Sequence, residues 1–401
     1  MCANLKSEDL VQAYVDRCRA INPLLNAIVD ENYERALEEA RAVDERVARE
    51  LRREKRPEEL SVAEYPFLGV PFTTKNSIAV AGLTYSGGIT ARRGVTAERD
   101  AVAIDRMKKL GGAIFLGVTN VPEAVMWLDG FNLVDGQTNN PYDQSRIPGG
   151  SSAGEGAIIA GAGSVIGVGS DIGGSIRIPA HFCGIFGHKT TPTAVDPTGV
   201  WPPFASKRIQ LLSLGPMTRF AVDLRPMLKV LVGEQRLELP ERPLNFSTLN
   251  VYYMLKIDDP FVTPVDVEIE QGLDTVIRFF IEHGSRTIPL DTAHKFHDLR
   301  YALFLWCTAM NDPNNPSYLN LLTEGRRAAI NPYWELLKCM VGRNKEYTAA
   351  ILTLGISEEL GFTSGEVKKD VYEAMLERLK KDLHELLSTD GVLICPTFPE
   401  I

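Results

Sequence analysis

Apolar residues recur at helical spacing over the first fifty positions. Leu10, Tyr14 and Ile21 follow Ser7-Glu8-Asp9, which offers a cap residue and first-turn acids and predicts a helix start. Leu37, Ala40, Val43, Val47 and Leu51 predict a second, longer helix. Its other positions, such as Glu34, Arg35, Glu38, Glu39 and Arg41, carry dense mixed charge and read as a solvated face, not a binding patch. Short apolar runs come next, at Phe67–Val70, Ala113–Val118, Val165–Val168, Leu249–Met254 and Val392–Cys395. Their β-branched content and Gly/Pro borders predict buried strands. Helical patterns lie between them, for example at Ala101–Leu110 and Asp266–Glu282. The alternation predicts an α/β fold with a central sheet and helices on both faces. Positions from about 290 to 370 read as mainly helical and rich in Trp, Tyr and Met, with most of the aromatics expected in the core and some in the lining of a pocket. No repeat and no clean linker interrupts the pattern, so residues 1–401 are expected to form a single domain.

Composition narrows the class. The chain has 401 residues, 44% of them hydrophobic and 24% charged, which excludes a collagen, a mostly disordered chain and a small disulfide scaffold. A net charge of -9 argues against nucleic acid as a partner. The six cysteines, Cys2, Cys18, Cys183, Cys307, Cys339 and Cys395, form no C-x-x-C pair and read as reduced, mostly buried thiols; neither a disulfide frame nor a metal site is expected. The N-terminus has no apolar signal core. The uncharged stretch Gly156–Ser170 is 15 residues long, short of the roughly 18 needed to span a bilayer. An intracellular chain is expected, at most attached to a membrane or lipid-droplet surface.

The chemistry concentrates in Pro148-Gly-Gly-Ser-Ser-Ala-Gly-Glu-Gly156 and Gly169-Ser-Asp-Ile-Gly-Gly-Ser-Ile-Arg-Ile-Pro179. Glycine is costly in regular elements and marks unusual backbone angles or close approach. Gly173 and Gly174 can turn successive backbone N–H groups toward one point beside Ser175, as an oxyanion hole requires. Each Gly-Gly-Ser taken alone is more often an ordinary turn. Gly150-Ser-Ser-Ala-Gly154 matches the G-x-S-x-G elbow formally, with Ser152 central, but the loop-like NNPYDQSRIPG precedes it where a buried strand is needed. Gly161-Ala-Gly163 lacks dinucleotide spacing, and His294 with His297 reads as a surface pair. No histidine is placed as a base for a serine nucleophile. Lys75, in Gly69-Val-Pro-Phe-Thr-Thr-Lys-Asn76, follows an apolar run that would bury it, and burial lowers a lysine's pKa toward that of a competent proton acceptor. The residues alone favour a surface lysine at a strand end.

Together these segments resemble the amidase signature family. The core of the match runs from about Gly149 to Lys189, with GVPFTTKN upstream and weaker similarity through NNPYD, GPMTR and PMLKVLVG. The resemblance implies a Ser–Ser–Lys triad: Ser175 as nucleophile, Ser151 as bridging serine after a cis peptide bond at Gly150–Ser151, and Lys75 as base. It implies an oxyanion hole from the backbone of Ile172, Gly173, Gly174 and Ser175, with Ser152, Asp171 and Arg177 in support. The implied fold is the amidase signature fold, a mixed central sheet flanked by helices on both faces, and the implied activity is hydrolysis of fatty-acid amides, such as N-acylethanolamines or oleamide, through an acyl-enzyme. No cofactor or metal is implied. The partner is a small-molecule lipid amide; a membrane surface and a second copy of the chain are open as further partners. Two departures stand out. Ala153 replaces a glycine usual in the family, and the chain is expected to be truncated, without the family's C-terminal portion or its relatives' N-terminal membrane segment. Alternatives are a general amidase, a glutaminase-type component of a transamidation complex, and an inactive shortened chain.

Overall fold

The computed structural model describes residues 5–52, 61–233, 239, 243–256, 262–324, 330–359 and 366–400. Two compact units are present: Met1–Leu237 with Asn314–Ile356, and Glu238–Pro313 with Ser357–Ile401. The signature segment lies in the first.

The first unit is built on strands β1 (Ile28–Glu31), β2 (Pro71–Lys75), β3 (Ile114–Thr119), β6 (Ile166–Asp171), β7 (Phe186–Gly187) and β8 (Ser213–Thr218), in the order β1-β3-β2-β6-β8-β7; β4 (Phe131–Asn132) and β5 (Gly136–Gln137) make a separate small hairpin. The sheet is mixed. Strands β3, β2 and β6 run parallel, while β1, β8 and β7 pair antiparallel. Helices in this unit include α1 (Ser7–Leu25), α2 (Tyr33–Leu51), α3 (Val102–Lys109), α4 (Ala153–Ala160), α5 (Arg177–Phe182), α6 (Ser206–Ile209) and α7 (Leu224–Val232). Successive side chains of a strand point to opposite faces, and β3 shows both covered. Ile114 and Leu116 join a core with Val11 and Val15 of α1, Ala36 and Ala40 of α2, and Ile158 and Ile159 of α4. Phe115 points the other way, packs edge-on against Phe72 and lies under Lys108 of α3. The mixed sheet flanked by helices is the predicted architecture.

Some sequence expectations shift. The run Phe67–Val70 is a turn, and the strand follows it as Pro71–Lys75, every residue of which is buried. Ser7 does not cap α1: its N–H and that of Glu8 donate to the Asp44 carboxylate, at 2.7 and 3.0 Å, so the cap comes from α2. Strands β3 and β6 fall where the apolar runs predicted.

The second unit holds a three-stranded parallel sheet, β9 (Asn250–Tyr253) between β10 (Arg286–Pro289) and β11 (Gly391–Ile394). Helices Val267–Glu282, Ala302–Met310 and Glu366–Leu387 accompany it, with Leu290, Phe296, Leu305 and Leu379 buried together. Among the described residues no helix is long and apolar enough to cross a membrane.

Candidate active site

Lys75 closes β2, and Asp171 closes β6, the parallel neighbour, so both lie at one end of the sheet. That end, beyond the carboxyl termini of parallel strands, is where loops converge on ligands in open α/β sheets. Lys75 is fully buried. Its Nζ donates to Ser151 Oγ at 2.9 Å and reaches the Ser170 carbonyl at 3.4 Å. Burial drives the lysine down from 10.5 to about 7, against the opposing pull of Asp171 and Glu155.

Ser151 and Ser152 precede α4 and are buried. The Gly150–Ser151 peptide is cis. Gly150 has no room for a side chain, since a Cβ there would lie 2.7 Å from the Trp127 carbonyl oxygen. The Ser152 N–H donates to the Ser175 carbonyl at 3.1 Å, which joins the two halves of the signature segment. Its Oγ lies 3.5 Å from the same Ser170 carbonyl that Lys75 reaches. No strand leads into Ser152, which removes the elbow reading. Ala153 is accommodated by Gly130, whose own Cβ would come within 2.7 Å of the Ala153 methyl.

Ser175 and Ser151 line one pocket together with Ser170 and Ile172. The rest of the lining is apolar: Ala124, Val125, Met126, Val200, Trp201, Pro202, Phe204 and Leu212. The loop 172–175 is held from below by Asp171, whose carboxylate accepts from the Gly174 N–H at 2.8 Å, the Ile176 N–H at 3.1 Å, and Nε and Nη2 of Arg177, each at 3.0 Å. Burial pushes this carboxyl up, but Arg177 and the two amides outweigh it and hold it below the usual range. The Gly174 N–H is thus committed to Asp171. The amides of Gly173 and Ser175 have no acceptor among the described residues and remain available to a developing oxyanion.

Two buried acids went unread in the sequence. Glu155, on α4, is fully buried against Thr73 and Thr119. A lone charge in the apolar, Gly-rich AGEGAIIA was the available signal. Glu123 is buried beside the pocket wall; its Oε2 accepts from the Thr348 N–H at 2.6 Å, Oε1 has no partner among the described residues, and burial pushes it up to about 7. The next two residues, Ala124 and Val125, have φ of 56° and 62°, in the left-handed region. Nothing in the sequence marks this turn. Cys18 and Cys183 are buried free thiols, Cys307 and Cys339 are partly buried ones, Cys395 is exposed and Cys2 lies outside the described residues. His294 is exposed, and no metal-binding cluster of three side chains occurs among the described residues.

The Amidase family model matches residues 9–400. Fatty-acid amide hydrolase 2 of Homo sapiens is 38% identical over 406 residues, covering 99% of this chain and 74% of that protein. A glutamyl-tRNA(Gln) amidotransferase component of Carboxydothermus hydrogenoformans is 33% identical over 303 residues, covering 74% and 59%. Among solved structures, a fatty acid amide hydrolase superposes with a TM-score of 0.72 at 22% identity, covering 99% of this chain; the chain spans 66% of that structure's length. A bacterial aryl acylamidase of the amidase signature enzymes superposes with a TM-score of 0.73 at 23% identity, covering 98% and 76%.

Proposed function

The chain belongs to the amidase family, and from that premise we propose that it is a serine amidase that cleaves fatty-acid amides to free acid and amine. Ser175 is the nucleophile, Ser151 the proton bridge and Lys75 the base. The observation that carries this reading is the 2.9 Å contact between Lys75 Nζ and Ser151 Oγ, fully buried and beside a pocket that Ser151 and Ser175 share.

A lysine at about 7 is substantially uncharged near neutral pH, so its nitrogen lone pair is open to a proton. Lys75 takes the proton of Ser151 as Ser151 takes that of Ser175. Ser175 Oγ attacks the amide carbonyl. The N–H groups of Gly173 and Ser175 meet the oxyanion; one such donor is worth about 3–4 kcal/mol. Asp171, by holding Gly174 and Arg177, sets the path of this loop. Ser151 then hands its proton to the departing nitrogen, because an amine leaves poorly unless protonated. Water, deprotonated through the same relay, cleaves the acyl-enzyme and regenerates Ser175.

The lining of the pocket supports a lipid acyl group. No charged side chain is among its described residues, and the serines are its polar part. Glutamine carries an ammonium and a carboxylate, which such a wall leaves unpaired at a cost. The similarity to a glutamyl-tRNA(Gln) amidotransferase keeps that second reading testable. Hydrolysis of oleamide, an N-acylethanolamine, a short aliphatic amide and glutamine is compared, with Ser175→Ala as control. Preference for the long-chain amides, lost in the variant, is expected; preference for glutamine rejects the lipid reading.

A further inference from the structure

Glu155 is the one ionisable residue of α4, and the proton relay does not use it. Its side chain is fully buried, and its two oxygens have separate partners. Oε2 lies 2.9 Å from Thr73 Oγ1 on β2, and Oε1 lies 2.9 Å from Thr119 Oγ1 on β3. Thr119 Oγ1 is also 3.3 Å from the Thr74 carbonyl oxygen. A hydroxyl has one proton to give. With an ionised carboxyl, Thr119 faces two acceptors and can serve one. With a proton on Oε1, the contacts close into a chain: Thr73 donates to Oε2, Oε1–H donates to Thr119, and Thr119 donates to the Thr74 carbonyl. The fold also reserves space for the group, because a Cβ on Gly167 of β6 would collide with Oε2.

We propose that Glu155 is a positioning residue that works as a neutral carboxylic acid, tying α4 to the lysine strand and withholding a negative charge that would keep the proton on Lys75. This rests on Lys75 being the base. Burial pushes the Glu155 carboxyl up to about 8, against the Thr119 and Thr73 hydroxyls and the charge of Lys75. In its ionised form it raises the proton affinity of Lys75. Few charged or titratable groups of the surrounding elements act on Glu155. β3 and β8 carry none. β6 contributes Asp171, already paired with Arg177 of α5. α5 also carries His181, and α1 brings Arg17, which is bonded to the Gly161 carbonyl, and Cys18. Lys75 is the charge that acts on Glu155.

The test is infrared difference spectroscopy of wild type against Glu155→Gln at pH 7, combined with the pH profile of kcat/KM. The amide introduced by this substitution still donates to Thr119 and accepts from Thr73. The expected result is a protonated-carboxyl C=O band that is present in wild type and absent from the variant, with the acid limb of kcat/KM unmoved. Thr119→Val, which removes the acceptor of the proton, shifts the same band to higher frequency. Absence of the band overturns the proposal. So does an acid limb that moves down by about one pH unit or more in Glu155→Gln, the shift expected if an ionised partner had been removed. The band is read without turnover, so a chain that shows the band but cleaves no amide refutes the functional reading and leaves this one standing.

Discussion

Lys75→Met separates stability from catalysis at one buried atom. Lys75 is fully buried, so its displacement from 10.5 to about 7 needs no discount for solvent; at about 1.36 kcal/mol per pH unit it withholds roughly 5 kcal/mol from the native state below pH 7. Between about 7 and 10.5 the unfolded chain binds a proton that the native chain does not. Stability therefore rises with pH over that window, by about 1.36 kcal/mol per unit, and below it the penalty is constant. Methionine has no proton to bind and removes this slope. Against that gain stand the lost contacts to Ser151 Oγ and the Ser170 carbonyl, worth about 1 kcal/mol each. The variant is expected to be about 2–3 kcal/mol more stable than wild type at pH 7, with the margin closing near pH 9. Equilibrium urea unfolding at pH 7, 8 and 9 measures it. Amidase activity falls by about 10²–10⁴ in the same variant. Stability curves that run parallel across this window would refute the reasoning, because they mean that Lys75 titrates alike in both states.

Three further outcomes follow from the same geometry. The kcat/KM profile rises with pH through about 7 as Lys75 loses its proton, and disappearance of that limb in Lys75→Met checks the assignment. Asp171→Asn loses the Arg177 pair and loosens the loop over 172–175; kcat falls by about 10²–10³ with KM little changed, by analogy with loss of an oxyanion donor. Because Asp171 is held below its usual 3.8, its contribution to stability is complete above that value and is lost as pH falls through the lower folded value, so acid unfolding of wild type and variant should converge there. Glu123→Ala leaves the Thr348 N–H without its acceptor and, in steady-state kinetics, raises KM for long-chain amides while kcat holds, because residues 124–126 form binding wall and not relay.

The sheet was legible where strands are apolar and bounded by turn residues. Ile114–Thr119 and Ile166–Asp171 were read close to their places, and Val102–Lys109 close to its helix. The pattern failed where a central strand is polar. Thr73, Thr74 and Lys75 read as a strand end after Phe67–Val70, yet all three are interior, because the Glu155 carboxyl, the Val168 carbonyl and Ser151 supply their partners from other elements. Ser213–Thr218 was missed for a related reason: Gly215 and Pro216 argue against a strand, but Pro216 sits in the ladder opposite Val168. Of the site, the resemblance to the amidase signature family implied Lys75, Ser151 and Ser175, while the residues alone left Lys75 reading as a surface group. Its burial depends on long-range packing, which no local pattern carries. The commitment of the Gly174 amide to Asp171 and the Thr348 clamp on Glu123 are likewise contacts that no sequence pattern announces.

Covalent capture tests the account most directly. A fluorophosphonate, which forms a bond to an activated serine oxygen, is incubated with the protein, and the modified peptide is located by mass spectrometry. A single adduct on Ser175, lost in Ser175→Ala and strongly slowed in Lys75→Met and Ser151→Ala, is the predicted result. An adduct on another residue, or one on Ser175 that forms at the same rate without Lys75, would contradict it.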